Sequence, residues 1–200
     1  MNRILQTPVD PLFPLSGIVR VMLYGEAPGP LGADKSGFPF WGDRAGKPVY
    51  RALESAGLAK VPQNAYSDWG GARLKALGLQ PALEQVALSN AFPTCPTRDG
   101  QTFRAPSDAE LRSPENLARL EWELHEGMRR CPQRLRVIAL GRRAAWILHP
   151  LGANLDFELC ELPHPSAQGL LQAAPGKGKG LKLADLQAGW EKKLREFLAV

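Results

Sequence analysis

Cysteine is scarce in this chain: Cys95, Cys131 and Cys160 are the whole set, widely spaced and without a C-x-x-C pair. An odd, scattered set argues against a disulfide framework, and a zinc site built from cysteines alone is one ligand short. Buried thiols acting as small apolar side chains are the expectation, with no metal. Long apolar runs are also missing, since nothing approaches the roughly 18 residues that a bilayer-crossing helix takes. The first segment, "MNRILQTPVDPLFPLSG", carries prolines where a signal peptide needs an unbroken apolar stretch, so a cytoplasmic location and no membrane partner are expected. There is no internal repeat. Neither the phosphate loop G-x-x-x-x-G-K-[ST] nor G-x-G-x-x-G is present, and no G-x-S-x-G elbow offers a serine nucleophile.

What is there suits one globular unit over residues 1–200: 44% apolar and 22% charged residues, enough chain to bury a sizeable core. The net charge of +5 permits an anionic partner without naming one. Four short apolar runs, at 18–25, 84–91, 134–141 and 155–163, end in glycine, asparagine or proline and read as strands. Helical patterns lie between them. Val49, Tyr50, Leu53 and Ala56 form a stripe stopped by Gly57, and Ser113-Pro114 is a cap followed by Leu117, Leu120, Leu124 and Met128. "RRAAWILH" makes a short helix, and Leu183, Leu186, Trp190, Leu194 and Phe197 share one face of a last one. Alternating strands and helices imply a parallel sheet covered on both faces. The least ordered segments should be 96–108 and 175–180, rich in glycine, proline and charge.

In open α/β sheets ligands sit beyond the carboxyl ends of the strands. Three such ends carry chemistry-bearing residues: "GEAPG" from Gly25, "SNAFPTC" from Ser89 and "PHPSAQG" from Pro163. The glycines of the first let the backbone approach a ligand, while the same turn with a solvated Glu26 would be purely structural. His164 stands between two prolines that restrict its backbone, useful for aiming an imidazole and equally compatible with a structural histidine. Downstream of the first loop, Phe40 and Trp41 are large aromatics in a glycine-rich stretch, which must touch either the core or a flat ligand.

The ordered set "GEAPG", "GFPFWGDRAG", "SNAFPTC", "VIALGRRAAWIL" and "HPS", spread over residues 25–166, resembles the uracil-DNA glycosylase superfamily. Its closest resemblance in motif is to the iron–sulfur-bearing family 4 branch. That resemblance implies a three-layer α/β/α fold around a four-stranded parallel sheet. It also implies a monomeric enzyme that excises a flipped-out uracil or other deaminated base from DNA in base-excision repair. A catalytically weak or inactive relative that binds DNA or a nucleotide is the alternative.

By the same resemblance, Phe40 stacks on the base, Asn90 reads its hydrogen-bonding edge, and Gly25 and Ala27 complete the base pocket. Ala27 stands where other branches carry a water-activating Asp or Asn. His164 donates to the base oxygen O2, and Glu26 and Asp34 compete for the catalytic carboxylate. The first loop has one residue more than the common spacing, which complicates the match to Asp34. Ser166 holds the "HPS" loop or a phosphate, Ala167, Gln168 and Gly169 lie at the wedge position without a bulky side chain, and Lys177 and Lys179 would contact phosphates. The family 4 cluster takes four cysteines, two of them before "GEAPG", where this chain has none. No cluster and no other cofactor are expected.

Overall fold

The computed structural model describes residues 3–199. Four parallel strands form the central sheet: β1 (Val21–Gly25), β4 (Val86–Asn90), β5 (Leu135–Leu140) and β6 (Phe157–Leu162). Their spatial order is β4-β1-β5-β6. All five residues of β1 are buried because both faces are covered. Val21 and Leu23 pack with helices α2 (Gly46–Ser55) and α8 (Leu183–Leu198). Met22 and Tyr24 face the other way, against α5 (Pro114–Arg130) and α6 (Arg142–Gly152). A strand buried on both sides must be apolar throughout, which is why "VMLYG" reads as a continuous run. This three-layer arrangement and its four strands are those expected from the sequence.

The helix boundaries follow local signals. Ser113 caps α5 by accepting from the Asn116 amide at 3.3 Å, with proline at the first helical position. Gly57, at φ 72°, closes the turn after α2. Shorter elements escape the periodic signal: α1 (Ala33–Ser36), α3 (Gly71–Ala76), α4 (Asp108–Leu111) and α7 (Ala167–Ala173). So does a two-stranded antiparallel sheet of β2 (Ala59–Lys60) and β3 (Ala82–Leu83).

Both segments expected to be least ordered are folded. In 96–108, Thr97 bridges Phe103, and Asp99 accepts hydrogen bonds from Thr97 Oγ1, Thr102 Oγ1 and the amides of Gln101 and Thr102. A capping box between Ser107 and Glu110 then starts α4. In 175–180 a 3₁₀ turn spans Pro175–Gly178, with Gly176 and Lys177 left-handed and Gly178 buried against Leu171. Polarity marked these segments as exposed, but side-chain-to-backbone bonds and glycine turns give them shape.

From β1 the chain crosses to β4 on one side of the sheet and then to β5 on the other. The crevice of such a sheet opens where the order reverses, beyond the carboxyl end of β1. That end is Gly25-Glu26. No helix of the described residues is long and apolar enough to cross a membrane.

Candidate active site

Gly25 and Asn90 are the last paired residues of β1 and β4. Asn90 is 2% exposed, and its Nδ2 has no hydrogen-bond partner among the described residues. A buried amide left half-satisfied is costly, and the edge of a ligand would supply the partner. Phe40 closes in from the opposite side: a Cβ on Gly25 would stand 2.7 Å from both Asn90 Oδ1 and Phe40 Cε1. Phe40 itself holds φ 62°, a left-handed conformation that a non-glycine residue adopts at a cost. Its carbonyl fits only because residue 46 is glycine; a Cβ there would overlap the Phe40 oxygen. The two neighbouring aromatics therefore divide. Phe40 meets Gly25 and Asn90, whereas Trp41 is fully buried, stacked edge-on with Tyr50 and Trp69 and donating Nε1–H to the Leu79 carbonyl at 2.9 Å.

One residue further along the first loop, Glu26 enters a cleft of about 640 Å³. Its other walls come from Gly141 and Arg143 at the start of α6 and from His164, Ser166, Gln168 and Gly169. The loop is hung on the end of β4, with the amides of Ala91 and Phe92 donating to the carbonyls of Gly25 and Glu26 at 2.8 and 2.9 Å. Ala27, half-buried, follows in the same turn. Two groups thus meet at the Gly25-Glu26 peptide: Gly25, Phe40 and Asn90 on one side, and the cleft with Glu26 and His164 on the other.

His164 is fixed from several directions. The Trp190 indole donates to the Pro163 carbonyl at 2.8 Å, and Gly141 and Gly169 leave room for its Cβ and backbone. The Ser166 amide lies 3.3 Å from Nδ1. An amide can only donate, so Nδ1 is the acceptor and the ring proton sits on Nε2. Burial pushes the imidazole pKa below its ordinary value, favouring the neutral ring. The result is a neutral histidine with one N–H donor of fixed identity.

The two competing carboxylates separate cleanly. Glu26 faces the cleft, where burial raises its pKa and Arg143, 3.1 Å away, opposes the rise. Asp34 is absent from the cleft lining. Its buried carboxylate accepts from the amides of Leu5 (2.9 Å) and Gln6 (3.0 Å) and pairs with Lys35 at 2.8 Å. It anchors the N-terminal segment, a position that does not suit the catalytic role expected of it. The carboxylate that organises the first loop is one the sequence did not single out. Asp43 accepts from the amides of Gly29 and Ala33, both at 3.2 Å, while its carbonyl takes the Trp69 indole proton at 2.7 Å. It fills space that side chains at residues 29 and 32 would need.

Ser166 caps α7 by accepting from the Gly169 amide at 3.1 Å, so its oxygen helps hold the loop while the residue also lines the cleft. Ala167 and Gln168 are exposed in the first turn of that helix, and Gln168 lines the cleft. Lys177 and Lys179 are exposed but do not line the cleft, so the structure does not join them to the other site residues. Behind Asn90 lies a buried polar cluster that no motif announced. Arg119 donates to the carbonyls of Asn90 (3.0 Å) and Ala91 (3.1 Å), Asn116 Nδ2 donates to Ala91 at 2.9 Å, and fully buried Glu123 pairs with Arg119 and accepts from Ser89 at 2.7 Å.

The cysteines do not fit an iron–sulfur cluster. Cys95 is buried with its thiol pushed up to about 12, Cys131 ends α5 and Cys160 lies within β6. No group of three or more His, Cys, Asp or Glu side chains among the described residues is placed to hold a metal ion.

Residues 16–187 match the family model of the uracil DNA glycosylase superfamily. The chain belongs to that superfamily. Among curated members it is 29% identical over 157 residues to the type-5 uracil-DNA glycosylase of Thermus thermophilus, covering 78% of this chain and 59% of that protein. It is 32% identical over 105 residues to the type-5 enzyme of Mycobacterium leprae, covering 52% and 39%. The chain thus matches less than two thirds of the length of either relative. The crystal structure of wild-type Pedobacter heparinus SMUG2 shares the fold, with a TM-score of 0.56 at 13% identity over 92% of this chain and 77% of that one. Both sequence relatives are named type 5, whereas the motifs had suggested family 4; the superfamily is supported and that branch is not.

Proposed function

We propose that this chain is a monofunctional DNA glycosylase that hydrolyses the N-glycosidic bond of a flipped-out uracil or other deaminated base in DNA, as part of base-excision repair. The observation that carries the reading is a buried Asn90 whose Nδ2 has no partner among the described residues, and it is supported by a neutral His164 whose Nε2 bears the proton. An asparagine amide offers a donor and an acceptor side by side, complementary to the O4 and N3–H of uracil and mismatched to cytosine. Phe40 gives the base a stacking face.

Cleavage places negative charge on the departing base and positive charge on the sugar. The Nε2–H of His164 donates to O2 as charge develops there, and a neutral donor need not surrender its proton to do so. Glu26, the carboxylate in the cleft, stabilises the sugar cation or orients the attacking water. Ala27 and Gly25 let the backbone lie close to the base, and Lys177 and Lys179 contact phosphates outside the cleft. The partner is DNA and the working unit is a monomer.

The second reading, a weak or inactive binder of DNA, is favoured by one feature: Gln168 and Ala167 offer no bulky side chain to fill the gap left by a flipped base. A strand-cleavage assay separates the two. Labelled oligonucleotides carrying uracil, hypoxanthine or xanthine, single-stranded and in several pairings, are incubated with protein and treated with hot alkali. Alkali-dependent cleavage at uracil that disappears in His164→Ala is expected. A folded protein that binds these oligonucleotides and cleaves none of them would leave only the binding reading.

A further inference from the structure

The Arg143 guanidinium is shared between the cleft and the arm formed by residues 96–108. Its Nη2 donates to the Pro106 carbonyl at 2.6 Å and to Asp108 Oδ1 at 3.0 Å. Its Nε lies 3.1 Å from Glu26 Oε1. That last contact is close enough for an ion pair but is not aligned as a hydrogen bond. Glu26 Oε1, buried and without a hydrogen-bond partner among the described residues, is therefore held by the charge of the guanidinium, while the side chain as a whole still lines the cleft. The cation is fixed because the arm grips its far end, and the arm is itself stiffened by the Asp99 turn and by the Arg104–Glu110 pair.

We infer that Arg143 is a positioning residue for Glu26: anchored by Pro106 and Asp108, it keeps the carboxylate ionised and aimed into the cleft. The inference rests on the assignment of Glu26 to catalysis above and extends it to a residue to which no role had been given.

The charged groups around Glu26 leave Arg143 as its close cation. From α6 come Arg143 and, exposed at the cleft margin, Arg142. The β6–α7 segment brings Glu161, which pairs with His149, and His164, which burial keeps neutral. Asp108 reaches Glu26 only through the guanidinium. Burial works against ionisation of Glu26, and Arg143 works for it. Removing the charge must therefore raise the pH at which Glu26 becomes ionised.

The test is the pH profile of single-turnover excision from a uracil-containing oligonucleotide by wild type, Arg143→Gln, Arg143→Lys and Glu26→Gln. Glutamine keeps an N–H donor for the Pro106 carbonyl, and lysine keeps the charge. Arg143→Gln should lose activity roughly tenfold near pH 5.5 and return to within about twofold of wild type near pH 9, because the acid limb moves upward. Arg143→Lys should restore the position of that limb. An equal loss at every pH, or a limb that stays in place, would overturn the inference, as would a shallower salt dependence of DNA binding without movement of the limb. In each case an inactive Glu26→Gln leaves the proposed function standing. A fully active Glu26→Gln would remove the catalytic assignment of Glu26 and the inference with it. Thermal melts decide whether a lost activity is lost fold; should Arg143→Gln not fold, Arg143→Lys beside Asp108→Asn still reports whether the limb follows the charge and its anchor.

Discussion

Gly25 and Asn90 end adjacent parallel strands as a register pair, and a Cβ on Gly25 would come within 2.7 Å of Asn90 Oδ1. The same Cβ would strike the Phe40 ring at 2.7 Å, so one missing methyl group keeps the asparagine and the aromatic in place together. Gly25→Ala should lower excision by about a hundredfold, since small misplacements of reacting or reading groups have effects of that size. Overpacking against buried Asn90 and Phe40 should also cost about 1–3 kcal/mol of stability, which leaves the fold intact. Paired measurements of cleavage and melting temperature check this; full activity in the alanine variant would show that Asn90 and Phe40 do not read the base.

His164 should titrate below its ordinary value of 6.5, because burial disfavours the imidazolium and no carboxylate compensates. The sign for stability follows. Between the folded pKa and 6.5 the unfolded chain binds the proton more readily, so this residue's contribution falls as the pH drops through 6.5 toward the folded value. NMR titration of the ring reads the pKa and the Nε2–H tautomer directly. His164→Ala should reduce turnover by about two to four orders of magnitude and flatten this part of the stability profile. A ring protonated at neutral pH would contradict the neutral-donor mechanism.

Arg119 ties α5 to the end of β4, and its partner Glu123 is wholly buried. Removing the arginine alone leaves a buried carboxylate unpaired, at a cost of about 3 kcal/mol, or roughly 10 °C in melting temperature. Arg119→Met combined with Glu123→Leu should recover much of that stability while leaving the Asn90 carbonyl unsupported. A double variant as stable as wild type but slow on uracil would separate fold from site; one that is both stable and fully active would show that the cluster serves packing only.

Periodicity and strand-end chemistry made the sheet, the major helices and the loops that carry Gly25, Asn90 and His164 readable in the sequence, whereas Phe40 and the roles expected of all four rested on the family resemblance. Buried parallel strands and amphipathic helices leave repeating signals, and a strand end followed by glycine or proline marks a loop. Asp34 and Asp43 show where that logic stops. Both lie in one polar stretch between β1 and α2, and they differ in what the folded chain brings to them: Leu5 and Gln6 to the first, Gly29 and Ala33 to the second. Neither composition nor spacing records which amides a carboxylate will meet. Arg119 and Arg143 were hidden for the same reason, since their partners Asn90 and Glu26 lie on distant parts of the chain.

Asp43 allows the loop geometry to be tested by pH. Burial lifts its pKa from 3.8 to about 6, the loop amides only partly offsetting the loss of water. Between those values the folded state holds a proton that the unfolded state has released. This residue's contribution is therefore largest below pH 3.8 and declines until about pH 6. An asparagine side chain keeps an acceptor for the Gly29 and Ala33 amides but cannot ionise, so Asp43→Asn should flatten that decline without loosening the loop. Asp43→Ala should flatten it too, yet leave those amides unpaired, costing about 1–3 kcal/mol and weakening uracil excision as Phe40 and the first loop drift apart. Urea melts across the acid range, run beside the cleavage assay, separate the two effects. If Asp43→Asn keeps the wild-type pH slope, the titrating group lies elsewhere; if Asp43→Ala excises uracil at the wild-type rate, the site does not depend on this clamp.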